Sequence, residues 1–229
     1  MTGWMCVMAD LHGLTPYMQR PVDAVLLAGD LCPDAHQFAR DMRPASEVHR
    51  RAQRSFFDTR LTALAVLYQA PVYAVAGNHD FGLEGDGDCD STRIHLLHDE
   101  VATLPSGATV WGSPWTSGEH RMAFHEPDDN ALAAHWDKCP AGVDIMLTHC
   151  PPYGLGDKSD VHFGSESLLS AIHERINPNL HLFGHCHEGR GAWRIGGTLH
   201  VNCTLGSHNG WQSQYEPWLL CDSSWKGDA

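Results

Sequence analysis

Residues 4–12 read Trp-Met-Cys-Val-Met-Ala-Asp-Leu-His, a short apolar run that ends in a carboxylate and an imidazole. The run predicts a buried β-strand, because strands are short and are bounded by polar or turn residues. On an extended chain, residues two positions apart point to the same side, so Asp10 and His12 converge. Taken alone, an Asp-x-His pair is a weak signal, since it is more often two unrelated polar residues.

Four more apolar runs end in the same kinds of residue. They lead into Gly29-Asp30, Gly77-Asn78-His79-Asp80, Thr148-His149 and Gly184-His185-Cys186-His187. Buried carboxylates and imidazoles are costly unless they are paired or bind a metal, so core packing does not explain five such endings. Because ligands of open α/β sheets bind at the ends of strands, these residues predict one shared site.

Helical patterns lie between some of these runs. Residues 47–69 place Val48, Phe56, Leu61, Leu64 and Leu67 on roughly one face, and residues 166–176 also have apolar residues at helical spacing. A proline follows each pattern and predicts its end. Strands are predicted at residues 4–9, 24–28, 72–76, 94–97, 108–112, 143–148, 180–183 and 199–202. Strands that alternate with helices favour an α/β fold.

Composition limits the classes of function. The 229 residues suit one domain, and 28 acidic against 15 basic residues give a formal charge of −13, which argues against an extended nucleic-acid surface. No apolar run approaches the roughly 18 residues of a membrane helix, and the first residues are not a charged signal. The eight cysteines include no Cys-x-x-Cys pair. We therefore expect a cytoplasmic protein with reduced thiols and no membrane partner.

The five blocks, in this order, resemble the calcineurin-like metallophosphoesterase superfamily over residues 10–187. They are most similar to its small MPPED-like phosphodiesterase branch, on the strength of Gly112-Ser113-Pro114-Trp115, Thr148-His149-Cys150-Pro151-Pro152 and Phe183-Gly184-His185-Cys186-His187-Glu188-Gly189. The resemblance implies a four-layer α-β-β-α sandwich of two mixed sheets. The metal site would lie on the loops that follow the strands.

The resemblance also implies a binuclear centre and its ligands. Asp10, His12, Asp30 and His187 would hold one divalent ion, and Asp30, Asn78, His149 and His185 would hold the other, with Asp30 as the bridge. Nitrogen and oxygen ligands together favour manganese, iron or zinc over calcium. A hydroxide that bridges the two ions would attack the phosphorus.

Further site residues follow from the same resemblance. His79 is the expected catalytic acid, and His79, Asn78 and His162 are expected to bind substrate. Many family members place an orienting acid three residues after the bridging Asp, but here that position is Pro33. Asp34, one residue later, or Asp80 would orient His79, or nothing does. We predict Asp34 as the second catalytic residue.

The leading function is hydrolysis of small phosphodiesters, cyclic nucleotides among them, and the partner is then a small phosphate ester. The alternatives are a phosphomonoesterase, which includes a protein Ser/Thr phosphatase, and a non-catalytic metal-binding scaffold. We expect a single domain over residues 1–229, with a helical cap insertion at about 34–60 whose arginines attract an anionic substrate. A solvated helix face is the simpler interpretation of those arginines. The sequence indicates no oligomeric state.

Overall fold

The structure is a computed structural model that describes residues 3–85, 94–118, 121–158, 161–206, 213 and 215–221. Its first sheet has the strand order β13-β1-β2-β3-β4. These strands are β1 (Trp4–Met8), β2 (Ala24–Ala28), β3 (Val72–Val75), β4 (Ile94–Leu96) and β13 (Trp218–Cys221). The four strands β1 to β4 are parallel, and β13 is an antiparallel edge. The carboxyl ends of β1, β2 and β3 therefore meet at one edge of this sheet.

The second sheet has the order β11-β12-β10-β9-β6-β5. Its strands are β5 (Glu100–Thr103), β6 (Thr109–Ser113), β9 (Ile145–Thr148), β10 (Leu180–Phe183), β11 (Gly191–Ile195) and β12 (Thr198–Asn202). The central four strands are parallel and the two edges are antiparallel. A separate small ladder joins β7 (Thr116–Ser117) to β8 (His125–Glu126). Both large sheets are thus mixed, as predicted.

Side chains alternate between the two faces of each strand, and this alternation produces the layers of the fold. In β2, Leu26 points into the core shared with the second sheet, while Val25 and Leu27 join a different apolar cluster. In β9, Ile145 joins the shared core and its neighbour Met146 packs on the other side. Because successive side chains point to opposite faces, each sheet buries one face against the other sheet and one against helices.

Helices cover the two outer faces. On the first sheet lie α1 (Ala35–Phe38), α2 (Glu47–Phe56) and α3 (Thr62–Tyr68), and on the second lie α4 (Asp129–Trp136) and α5 (Glu166–Ala171). Short 3₁₀ turns occupy Phe81–Leu83 and His187–Gly189. The resulting α-β-β-α order confirms the predicted four-layer sandwich. In the described residues, no helix is both long and apolar enough to cross a membrane.

The helical segment at 47–69 buries part of the predicted face. Leu61 and Leu64 are buried and Phe56 is half-buried, as predicted, but Val48 and Leu67 are exposed. The buried face of the segment also includes His49, Gln53, Phe57 and Tyr68. A π-helical turn at Phe57–Leu61, which has more residues per turn than an α-helix, joins α2 to α3, so a single 3.6-residue period does not describe the whole segment.

The predicted cap segment, residues 34–60, contains α1 and α2. Several of its arginines are engaged in ion pairs: Arg50 with Glu84, Arg51 with Glu47, and Arg54 with Asp58. Arg50 also donates to the Phe81 carbonyl at 2.7 Å, which ties α2 to the 3₁₀ turn beside it. That the segment caps the site and attracts substrate stays a prediction.

Three histidines lie together on the helix-facing side of the second sheet. His181 is buried on β10, and its Nε2 lies 2.9 Å from the Thr148 hydroxyl. Since that hydroxyl donates to the Cys150 carbonyl at 2.6 Å, His181 Nε2 is the donor to Thr148. His181 Nδ1 then accepts from His200 Nδ1 at 3.2 Å, and the His173 ring lies 5.2 Å from the His200 ring.

Burial keeps the His181 and His200 imidazoles neutral. Burial and the nearby His173 lower the pKa of His200 to about 4. Burial, His200 and His173 also lower the pKa of His181 well below its usual range. The strand that leads into His185 and His187 is therefore supported by histidines that must stay uncharged.

We expect acid to destabilise the protein through this cluster. Above about pH 6.5, His200 is neutral in both states; as the pH falls towards about 4, only the unfolded chain takes up the proton. The free energy of unfolding then falls by up to about 1.4 kcal/mol per pH unit for this group. In urea denaturation between pH 7 and pH 5, the free energy of unfolding should fall less steeply for His200→Gln than for the parent protein. His36→Gln, which removes an exposed histidine, should match the parent protein, and equal slopes for all three would contradict the prediction.

Candidate metal centre

The predicted ligands converge at the carboxyl ends of five strands. Asp10 and His12 follow β1, Asp30 follows β2, Asn78 follows β3, His149 follows β9, and His185 and His187 follow β10. The first three strands belong to one sheet and the last two to the other. The site therefore lies where the two sheets meet.

One group of potential ligands comprises Asp10, His12 and His187, whose ligating atoms all lie within 4.8 Å of one another. His187 Nε2 lies 3.4 Å from Asp10 Oδ1 and 3.4 Å from His12 Nε2. His12 Nε2 also lies 3.8 Å from Asp30 Oδ2. The structure thus brings together the four residues predicted for the first ion.

A second group comprises Asp10, Asp30 and His149. His149 Nε2 lies 3.4 Å from Asp30 Oδ2 and 3.0 Å from Asn78 Oδ1. The same Asn78 oxygen lies 3.0 Å from His185 Nδ1. Asp30 Oδ2 therefore faces ligands of both predicted ions, which is the position that a bridging carboxylate requires.

These separations fit shared coordination. Two ligand atoms that each lie about 2.1 Å from one ion are about 3.0 Å apart at an octahedral angle and about 3.4 Å apart at a tetrahedral angle. The separations of 3.4 Å and 3.0 Å above fall at these values, whereas the 3.8 Å between His12 Nε2 and Asp30 Oδ2 is longer. In addition, Asp10 is fully buried and Asp30 is 2% exposed, and two buried carboxylates side by side need cationic partners. The donor set suits divalent ions with mixed nitrogen and oxygen ligation.

The backbone is bent sharply at the ligands. Asp10, His12, Asp30 and His185 adopt positive φ values of 55°, 42°, 51° and 70°. Left-handed conformations in residues other than glycine cost of order 1–3 kcal/mol each and concentrate at functional sites. Gly77 provides the close approach that this packing needs, because a Cβ there would lie 2.3 Å from Asp30 Oδ1 and 2.8 Å from His149 Nε2.

Hydrogen bonds between the sheets orient the ligands. His149 Nδ1 lies 2.8 Å from the Ala28 carbonyl, so the ring donates through Nδ1 and presents Nε2 to the site. The His185 backbone N–H donates to Asp10 at 3.0 Å. Asn202, at the end of β12, donates to the Cys186 carbonyl at 2.9 Å and holds the turn between His185 and His187.

Burial and charge act in opposite directions on the acidic ligands. Burial raises the pKa of Asp10 and of Asp30, but hydrogen bonds and attraction from His187 and His149 outweigh it, so both pKa values are lowered. Burial lowers the pKa of His149, yet the Asp30 charge raises it to about 9. For His185, burial and His149 together lower the pKa to about 4. Both carboxylates are therefore ionised at neutral pH, as metal ligands must be.

Asp34, and not Asp80, contacts the side chain of His79. His79 Nδ1 lies 2.7 Å from Asp34 Oδ1, while the other carboxylate oxygen of Asp34 lies 3.3 Å from His12 Nδ1. The buried Asp80 carboxylate instead accepts from the backbone N–H groups of Leu31, Cys32 and Gly77. One acid thus touches both the expected proton donor and an expected metal ligand.

The pKa of His79 is shifted by the same neighbours. Burial lowers it, but the charge of Asp30 and the hydrogen bond to Asp34 raise the pKa to about 9. His79 is therefore protonated at neutral pH in the metal-free arrangement, and bound cations would lower that pKa. A protonated imidazole at this position is able to donate to an ester oxygen.

A cavity of about 310 Å³ opens over these residues. Its lining comprises His12, Asp30, Asp34, Asn78, His79, Phe163, His185, Cys186, His187 and Glu188. His162 is not among them; its Nδ1 lies 3.0 Å from Asp157, and its role in substrate binding stays a prediction. Phe163 was missed from sequence because a single aromatic in a loop has no periodic pattern.

Gln53 is a second residue that sequence reasoning missed. Its amide nitrogen donates to the Pro33 carbonyl at 3.0 Å and to the His79 carbonyl at 2.8 Å. It is fully buried on α2, so it fixes the backbone on both sides of the Asp34–His79 contact. A glutamine on the buried face of a helix is the signal that could have revealed it.

Comparison with protein families identifies a match over residues 6–189. The matching model describes the calcineurin-like phosphoesterases. Two solved structures share the fold, one with a TM-score of 0.62 at 17% identity and the other, TT1561 of Thermus thermophilus, with a TM-score of 0.53 at 18% identity. They cover 88% and 87% of this chain, and 90% and 88% of their own chains.

Curated relatives match as well. Metallophosphoesterase domain-containing protein 1 from Homo sapiens is 29% identical over 235 residues, which cover 89% of this chain and 66% of the human protein. UPF0046 protein T07D4.2 from Caenorhabditis elegans is 36% identical over 145 residues, which cover 62% of this chain and 36% of the nematode protein. The chain therefore spans between about a third and two thirds of these relatives.

Replacing Gly77 by alanine should weaken metal binding. The added methyl would press on Asp30 and His149 together, as the distances above show, and displace the carboxylate that is predicted to bridge the ions. We expect the manganese content after dialysis, measured by plasma mass spectrometry, to fall well below that of the parent protein. Gly197→Ala is the matched control, because no atom lies within 4 Å of its added Cβ. Full manganese content in a folded Gly77→Ala protein would contradict the steric argument.

Asp34→Asn should separate two contributions of one carboxylate. Loss of the charge beside His12 should weaken manganese binding by roughly tenfold, as is typical for groups that support a metal ligand. At saturating manganese, loss of the charge beside His79 should still lower turnover by roughly 10²-fold. Calorimetric titration with manganese measures the first effect and steady-state kinetics the second. Asp41→Asn, an exposed change in the same segment, should alter neither, and an unchanged manganese affinity in Asp34→Asn would show that the His12 contact is not used.

Proposed function

Since the chain belongs to the calcineurin-like phosphoesterase family, we propose that it is a metal-dependent phosphodiesterase that hydrolyses small substrates, cyclic nucleotides among them. The family makes it a phosphoester hydrolase with divalent metal ions. The choice of a diester rests on the charge of the cavity. The cytoplasm is the expected compartment.

The cavity carries little fixed positive charge. Among the described residues that line it are three acids, Asp30, Asp34 and Glu188, and no lysine or arginine. Enzymes that bind doubly charged phosphate groups commonly use arginine or lysine clamps in addition to metals. A diester carries only one negative charge, so His79 and the metal ions suffice to neutralise it. This charge balance is the observation that favours a diester over a monoester.

The size of the cavity supports a small substrate. About 310 Å³ lies at the lower end of the range for small-molecule pockets. Arg190 is not among the described residues that line the cavity, and its guanidinium donates to the Thr204 and Glu216 carbonyls. A substrate is therefore expected to be held through its phosphate and its immediate substituents.

Each ligand has a definite role in this proposal. Asp10, His12, Asp30 and His187 would hold one ion, and Asp30, Asn78, His149 and His185 the other. Two such ions supply an activated water and neutralise charge on the phosphoryl oxygens. The Ala28 carbonyl fixes the His149 ring, and Asp10 accepts the His185 N–H, so these residues reach the site already oriented.

His79 would provide the proton for the leaving group. Asp34 engages its Nδ1, which leaves Nε2 as the nitrogen available to the substrate. The backbone N–H of His79 donates to Asp30 Oδ1 at 2.8 Å, and Gln53 holds its carbonyl. His79 is therefore held at three points, one on its imidazole and two on its backbone, beside the proposed bridging carboxylate of Asp30. A positioned acid of this kind typically contributes about 10²–10⁴-fold to the rate.

The test compares two chromogenic esters. Protein stripped of metal and then supplied with manganese should hydrolyse bis-p-nitrophenyl phosphate faster than p-nitrophenyl phosphate. Asp30→Ala should lose at least roughly 100-fold in turnover, because the carboxylate shared by both ions is gone. Asp41→Ala, which removes an exposed acid, should keep the parent rate.

Other outcomes point to the alternatives. Faster turnover of the monoester would favour a phosphomonoesterase and would remove the charge argument. Absence of turnover on both esters, with two bound manganese ions per chain, would favour a binding scaffold.

A further inference from the structure

The cavity has an aromatic side next to its charged floor. Phe163 lines the cavity, remains 40% exposed, and places its ring 5.9 Å from the His185 ring at an angle of 87°. Just outside it, Tyr153 is 39% exposed and its ring lies 4.8 Å from that of His162. We call these three residues, Tyr153, His162 and Phe163, the aromatic ledge.

The aromatic ledge is held in place by a buried acid. Asp157 is 1% exposed, and its carboxylate accepts from the backbone N–H groups of Gly154 at 3.0 Å and Gly164 at 3.3 Å. The same carboxylate engages His162, and the Asp157 carbonyl accepts from the Phe163 N–H at 2.9 Å. The backbone that carries the exposed rings is therefore held by hydrogen bonds before any ligand arrives, which lowers the entropic cost of binding.

A hydrogen bond also ties the aromatic ledge to the metal-ligand turn. Asn202 donates to the Gly156 carbonyl at 3.0 Å and to the Cys186 carbonyl at 2.9 Å. One amide thus spans the loop that carries the aromatic ledge and the turn that carries His185 and His187. The distance from the aromatic rings to the phosphate site is set by this contact rather than left to a free loop.

From this arrangement we propose that the aromatic ledge, through Phe163, stacks on a planar aromatic substituent of the phosphoester, such as a nucleobase or an aryl group. The proposal rests on the phosphoesterase function above, which places the phosphate at the metal centre. A planar group is the ligand that an exposed ring on a hydrogen-bonded loop recognises best, because it covers apolar surface with little loss of its own freedom. Phe163 is then a specificity-determining residue.

The experiment compares two ligands that share the ribose and the phosphate, one with adenine at C1′ and the other with a hydroxyl there. Calorimetry on the manganese-loaded protein measures the Kd of adenosine 5′-monophosphate and of ribose 5-phosphate, which share the ribose and the phosphate. We expect the nucleotide to bind about tenfold more tightly, a typical gain for one stacked base. In Phe163→Ala that ratio should fall to near one while the Kd of ribose 5-phosphate is unchanged, and Phe163→Trp should retain the ratio.

Controls separate this inference from the proposed activity. Val161→Ala changes an exposed residue of the same loop that does not line the cavity, and it should keep the tenfold ratio. A ratio near one in the parent protein, an unchanged ratio in Phe163→Ala, or failure of the nucleotide to bind would overturn the stacking role. Base-dependent binding without hydrolysis of any ester would leave the aromatic ledge supported and the proposed hydrolysis refuted. Hydrolysis without base-dependent binding would support the proposed hydrolysis and refute the stacking role of the aromatic ledge.

Discussion

Two buried carboxylates, Asp10 and Asp30, impose the constraint on which the site depends. Both follow parallel strands of the first sheet and both have lowered pKa values, so they introduce negative charge into a region closed to solvent. Such a pair is stable only if cationic groups and hydrogen-bond donors surround it. The second sheet provides these through the His149 and His187 rings and the His185 N–H. The packing of the two sheets against each other therefore brings the residues of the site together.

The same constraint explains why the chemistry needs ions rather than basic side chains. Among the described residues that line the cavity there is no lysine or arginine, and three of the four histidines are predicted ligands. With neutral imidazoles as ligands, the carboxylates need divalent cations for compensation. In the proposed function, the polar substrate contact beyond the ions falls to His79, and the apolar contact falls to Phe163. The proposals for catalysis and for substrate preference thus rest on different loops.

Much of this arrangement could be predicted from sequence, and the exceptions have physical causes. The ligand types at the ends of β1, β2, β3, β9 and β10 were visible because each follows a mainly apolar run. The edge strands β5 and β11 were missed, since they are partly exposed and contain polar residues. The edge strand β13 was also missed, although its four residues are apolar. The buried face of α2 was missed because the π-helical turn at Phe57–Leu61 shifts the period. Phe163 was missed because its importance depends on a loop geometry that only the fold defines.

Asp34 lies one residue later in the chain than the expected position of the orienting acid, and neighbouring side chains compensate for this shift. Pro33 stands where many related chains place the orienting acid, and its carbonyl accepts from Gln53. Asp34 then precedes α1, and the Gln37 side chain of that helix accepts the Asp34 N–H and donates to the His12 carbonyl. Asp34 is thereby held between His12 and His79, even though it lies one residue later in the chain. Gln37 on α1 and Gln53 on α2 make these hydrogen bonds. The segment predicted as a cap therefore positions Asp34 and His79, independently of any contact that it makes with substrate.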